Sequence, residues 1–303
     1  TVSPSTMYTS SLDAYLEIWN DARAKARTAG YDVDVEFLLV AHTRILPDVA
    51  GYGGGVLTPT FFFRKAWLNG QFDFRTILHE VGHMLGAGHA NLWIPSNSGA
   101  PFAAGSPKEY GDFPDIMGFS EVPEEWIRTM DFNPRIKEKF SWVQVGSQVQ
   151  MVSSSGTYSL VPVDMATATS QVIALRVDRG PSRDQYTLSF RKSFRLYVAV
   201  SQSLQIHRTF TRYRNLDTSA LVNLQYSLHP QNPQDGLLRV GCTLEDRDAN
   251  VFITPRVLNA NLGQVYIHVG PPTSETKNLQ LELSFGFESG HFSALSFIPI
   301  VAT

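Results

Sequence analysis

Apolar positions in the first thirty residues recur at helical spacing. Leu12, Tyr15, Leu16 and Trp19 share one face of SLDAYLEIWNDARAKARTA (11–29), and Gly30 supplies a stop. The run VDVEFLLVAHT (33–43) is β-branched and aliphatic and predicts a buried strand. GYGGG (51–55) predicts a flexible turn or bulge. VLTPTFFF (56–63) predicts a further strand, which Pro59 confines to a sheet edge or a bulge. Helical spacing returns in FDFRTILHEVGHML (72–85), with Phe74, Ile77, Leu78, Val81 and Leu85 on the apolar face and Gly86 at the end. From Gly86 to about Asp131 the chain is rich in Gly, Pro, Ser and Asn and predicts a long irregular segment. So long a loop inside a compact domain is usually functional or disordered. Asn133 followed by Pro134 predicts a short helix to about Phe140.

After Gly146 the pattern changes to short β-type runs: TYSLVPV, QVIALRV, QYTLSF, RLYVAV, LQIHRTF, ALVNLQYSL, LLRVGCTL, VFITPRVL, QVYIHV, LQLELSF and FSALSFIPIV. Turn residues separate them at the spacing of an antiparallel sandwich. The expected division is an α+β unit over 1–146 and an all-β, sandwich-like unit over 147–303, joined through GSQVQMVSSSG (146–156).

Composition narrows the function classes. The 303 residues are 43% hydrophobic, 12% aromatic and 17% charged, which is globular and favours β structure. A net charge of −3 without like-charge runs argues against nucleic acid or an anionic membrane as partner. FTRYRN (210–215) reads as a solvated strand edge. The single cysteine, Cys242, allows no internal disulfide and sits among apolar strand residues, as a small buried hydrophobe would. No window has the length of uninterrupted apolar sequence that a membrane span needs. The chain opens on Thr1 and reads as a processed form whose targeting segment is missing.

The chemistry is concentrated in HEVGHMLGAGH (79–89). His79 and His83, four residues apart on a helix, can converge on one Zn²⁺. Glu80 falls on the flank, placed to act as a base on water rather than as a ligand. His89 would lie about 15 Å further along a straight helix, too far to share an ion. The chain must therefore turn, and Gly86 permits φ > 0 there. Gly88 gives the returning segment freedom to aim His89. Three neutral nitrogen ligands leave a fourth position for water, the arrangement of a catalytic zinc site. A packed helix with satisfied histidines is the competing reading. A chance match to HExxHxxGxxH in this chain is on the order of 10⁻⁵, which favours the metal.

That motif, followed 28 residues later by Met117 in YGDFPDIMGF (110–119), resembles the metzincin zinc endopeptidases. AWLNG (66–70), GHA (88–90), FNPRIKEKFSW (132–142), QVIALRVDRG, QYTLSFR and SLQIHR look like its gametolysin-like branch, peptidase family M11. The resemblance covers about residues 31–270. It implies a two-lobed metzincin catalytic domain with an α+β fold, a cleft between the lobes, and a C-terminal β-domain. It further implies one catalytic zinc on His79, His83 and His89, Glu80 as general base, and Met117 in an apolar turn beneath. The strand over Val56–Phe63 would form the upper rim and pair with substrate backbone. A secreted, monomeric endopeptidase acting on protein or peptide, including glycoproteins of cell wall or matrix, is the implied function. Several metzincins carry a tyrosine two residues after the turn methionine. Here Phe119 stands there and supplies no hydroxyl; Tyr110 is a candidate to stand in, with a packed aromatic as the alternative reading.

Other residues read plainly. GYGGG lacks the Lys-Ser/Thr and helix start of a phosphate loop. His42, His207, His229, His268 and His291 fall in strand or turn contexts and read as structural. Asp112 reads as a turn residue, or as a carboxylate supporting a ligand imidazole. Asp246 and Asp248 could serve calcium, though a solvated turn is the simpler reading. Two rival functions stay open: a binding or adhesion module with a vestigial protease, and a zinc hydrolase of a non-peptide amide or ester.

Overall fold

The computed structural model describes residues 12–32, 38–42, 51–57, 62–70, 72–96, 105–118, 130–165, 170–179, 184–192, 201, 203–210, 218–222 and 236–273. α1 (Leu12–Thr28) forms where helical spacing predicts it and buries Ile18 and Trp19. The aliphatic run that follows gives β1 (Leu38–His42).

GYGGG departs from the sequence reading. It is no turn but the start of β2 (Gly51–Leu57), and the run 56–63 is split between β2 and β3 (Phe62–Asn69). The two strands pair antiparallel from Leu57↔Phe62 to Gly51↔Leu68. Ladder pairing along the full length of β2 holds its glycines extended, which overrides their weak intrinsic strand preference. Pro59 lies outside the described residues. β3 pairs in parallel with β1, so among the described residues the sheet runs β1-β3-β2 with β2 at its edge.

α2 (Phe74–Met84) packs on β2 and β3 of this sheet. Asp73 caps it, accepting hydrogen bonds from the Thr76 amide at 2.9 Å and hydroxyl at 2.7 Å. Its buried side chains run Thr76, Glu80, Met84, one above another at i, i+4 and i+8. That face is rotated from the predicted one, so Phe74 is 51% exposed instead of buried.

The stretch expected to be irregular contains a hairpin, β4 (Asn91–Pro95) with β5 (Gly105–Lys108). Its partner is remote in sequence: β4 pairs in parallel with β11 (Thr218–Val222). The helix expected at 133–140 is α3 (Pro134–Lys139), with the Asn133 side chain accepting from the Arg135 and Ile136 amides.

The remaining strands are β6 (Val149–Val152), β7 (Gly156–Leu160), β8 (Ala174–Asp178), β9 (Gln185–Ser189), β10 (Ser203–Phe210), β12 (Leu237–Arg239), β13 (Leu244–Asp246), β14 (Val251–Leu258) and β15 (Gly263–Val269). The sequence places no strand at β6 and reads β12 and β13 as one. RLYVAV, LQLELSF and FSALSFIPIV lie outside the described residues. One sheet runs β5-β4-β11-β10-β9-β8-β6, with β12 also on β10, and another runs β13-β14-β15-β7. Leu175, Leu188 and Ile206 of the first share an apolar cluster with Val251, Ile253, Val265 and Ile267 of the second. The two sheets thus enclose a core, and β4–β11 pairing crosses the expected division at residue 146.

Asp246 is buried rather than solvated. Its carboxylate accepts from Arg179 Nε at 2.5 Å, from the Ala249 amide at 3.3 Å and from the Tyr186 hydroxyl. Asp246 is thus held by protein donors, while Asp248 is exposed. Cys242 is half-buried against the same core, and burial raises its thiol pKa. No described helix is long and apolar enough to cross a membrane.

Candidate metal centre

α2 ends on two backbone bonds, Gly86 N–H to His83 O at 2.9 Å and Ala87 N–H to Gly82 O at 2.9 Å. Gly86 has φ +97°, the left-handed residue that this Schellman closure requires. The reversal carries His89 back over the last turn of the helix. Gly88 has open space around it and no positive φ, so nothing in the structure requires glycine there.

The turn brings His79, His83 and His89 together. One nitrogen from each lies within 4.8 Å of the others. Each Nδ1 faces an acceptor: Ile116 O at 3.0 Å for His79, Ala87 O at 2.9 Å for His83, and Glu109 Oε1 at 2.6 Å for His89. An Nδ1–H pointing at oxygen leaves the lone pair on Nε2. His83 Nε2 and His89 Nε2 then face each other at 3.1 Å. Two lone pairs at that distance need a proton or a cation between them. Burial opposes the proton, lowering the pKa of His83 and taking that of His79 down to about 3. Two ligands about 2.0–2.1 Å from a tetrahedral ion sit about 3.3 Å apart, so the donor set fits a zinc ion.

Glu80 sits on the buried side of α2, 5% exposed, and its Oε2 has no hydrogen-bond partner. Burial raises its carboxyl pKa to about 8. An unpaired buried carboxyl is costly to fold around. A carboxyl of this kind beside a cation site is poised to trade protons.

Met117 is fully buried beneath the helix, in the apolar cluster of Phe113, Ile116, Phe132 and Ile136. Asp115 orders that turn: Oδ1 accepts from Met117 N–H at 2.7 Å and Oδ2 from Asn133 N–H at 2.6 Å. Tyr110 has φ +61°, and its ring centroid lies 3.8 Å from that of His89. Burial, then the Glu109 and Glu80 carboxylates, raise its phenol pKa, so it stays a donor at neutral pH. Phe119 lies outside the described residues.

The carboxylate that meets an imidazole of this cluster is Glu109, which sequence reading missed in favour of Asp112. Its only sequence signal is a position beside Tyr110, no different from that of a solvated glutamate. Asp112 instead pairs with His207 Nε2 at 2.8 Å, both fully buried. His268 is held by Ser155 and Pro271 O, and His42 ends β1. His229 and His291 lie outside the described residues.

Comparison with protein-family models, curated proteins and solved structures finds no match for the chain.

Proposed function

We propose that the protein is a secreted zinc endopeptidase of metzincin, gametolysin-like type, acting on extracellular proteins or glycoproteins. The observation that carries this reading is the pair of Nε2 lone pairs at 3.1 Å, closed by His79 and flanked by a buried glutamate whose Oε2 has no hydrogen-bond partner. Bare helix packing does not account for either feature.

His79, His83 and His89 would hold the ion. A zinc ion there would acidify a water and polarise the scissile carbonyl. Glu80 would take the proton of the attacking water onto its carboxylate, hold it, and deliver it to the departing amine nitrogen. Its buried setting keeps that proton from solvent. The Tyr110 phenol, whose ring lies against His89, would be a donor for the oxygen on which negative charge develops. β2, at the edge of its sheet and packed against α2, offers backbone groups with which an extended peptide could pair.

Digestion of casein by the full chain, with and without a zinc chelator, tests the reading. Cleavage that chelator abolishes and zinc restores supports it. Partner binding with no cleavage under either condition would favour an adhesion module.

A further inference from the structure

The C-terminal half is tied to the metal centre at a buried point. Residues 112–118 form the turn under the site, and it holds one histidine ring and one histidine-bearing segment. Ile116 O receives the His79 Nδ1–H at 3.0 Å. Ala90, next to His89, donates its N–H to Met117 O at 2.9 Å and accepts from Asp112 N–H at 3.2 Å. Asp112 in turn is gripped by His207 Nε2 at 2.8 Å, from the middle of β10. Asp112 is 2% exposed and His207 1%, so solvent cannot replace either partner.

β10 is braced on both sides. His207 pairs in register with Thr187 of β9 and Leu221 of β11. β11 also pairs with β4, the strand that leaves the third histidine, through Ala220↔Asn91. A second link comes from β9's end, where buried Arg191 donates to Asp131 O at 2.9 Å. Asp131 bridges back to Asp115 of the same turn.

We propose that His207 is a positioning residue for the metal centre, acting through Asp112 on the turn that aims His79 and His89. The C-terminal β half is then part of the site and not an appended module. The role follows from the connectivity: without the imidazole, a buried carboxylate loses its donor and the turn loses its anchor to a sheet. The turn thus holds the ring of His79 through its Nδ1 and the segment of His89 through Ala90, whereas the acceptor of His83 Nδ1 is Ala87 O, just past the end of its own helix. This inference rests on the zinc reading.

Zinc affinity of the full-length protein, from competition with a chromogenic chelator, and the visible spectrum of the Co²⁺ form test it. Wild type taking up no zinc would sink the zinc reading itself. With zinc bound by wild type, His207→Ala is expected to lose roughly tenfold or more in affinity and to change the cobalt bands. His207→Gln, whose amide N–H still reaches Asp112, is expected to recover both. Should His207→Ala fail to fold, Asp112→Leu with His207→Leu replaces the pair by apolar groups of similar volume, which cores tolerate. That double variant is expected to fold with weakened zinc binding and altered cobalt bands. Wild-type affinity and spectrum in either variant overturn the proposal.

Discussion

The Met117 sulfur occupies the space where a side chain at Gly82 would begin. A Cβ at Gly82 would collide with Met117 Sδ and lie 3.2 Å from the Phe132 ring. Glycine in the middle of a helix is otherwise a cost of about 1 kcal/mol against alanine. Here it lets the turn press against the helix between His79 and His83. Gly82→Ala is therefore expected to destabilise by about 1–3 kcal/mol, the usual cost of overpacking, despite its better helix propensity. Met117→Leu, which conserves volume, is expected to cost less than about 1.5 kcal/mol. Urea unfolding of both variants checks the order.

Glu109 is 66% exposed on its side chain, yet its carboxylate reaches His89 Nδ1 at 2.6 Å. Exposure means that little packing is lost on truncation. Glu109→Ala is expected to keep wild-type stability and to weaken zinc binding by roughly 10-fold or more, the range seen for partners of ligand imidazoles. Equilibrium dialysis against a zinc buffer measures it.

Asp115 carries the clearest pH signature. Burial, with the Asp112 charge adding to it, raises its carboxyl pKa from 3.8 to about 7, against two amide donors and Arg191. The folded pKa lies above the unfolded one, so the folded state binds the proton more tightly. The resulting stability is complete below about pH 3.8 and is lost as pH rises through about 7. Unfolding free energy of the metal-free chain is expected to fall from pH 5 to 8. Asp115→Asn is expected to flatten that fall.

In the sandwich, Arg179 and Tyr186 both depend on the buried Asp246 carboxylate. Removing Asp246 leaves Arg179 with Asp184, at 3.5 Å, and the buried Tyr186 hydroxyl without this acceptor, at a cost of about 1–3 kcal/mol. Asp246→Ala is expected to lose that much in chemical denaturation while leaving zinc stoichiometry unchanged.

What the sequence discloses here depends on the range of the interaction that decides it. HEVGHMLGAGH is legible because helical spacing and one left-handed glycine are local, and they turn the chain so that His89 comes back toward His83. Asn133 and Pro134 are legible for the same reason, since caps act over three residues; the Asp73 cap is equally local, though the apolar spacing does not single it out. GYGGG misleads because β2 is held by its pairing with β3, not by its own residues. NLWIP hides because β4 is paired with β11, far along the chain. Phe74 follows the helical period yet faces solvent, because the sheet under α2 selects the Thr76–Glu80–Met84 row. Asp112 and His207 are each ordinary in sequence, and only the packing of the turn on β10 makes them a pair. Glu109 gives no pattern at all, since one contact to one imidazole leaves no period to read.

The central claim is that Glu80 is the base beside a three-histidine zinc site. Zinc content and peptide cleavage, measured together on purified Glu80→Gln, test it most directly. The account predicts one zinc per chain, as in wild type, with cleavage reduced by about 10²-fold or more. Cleavage at the wild-type rate with zinc bound would contradict it.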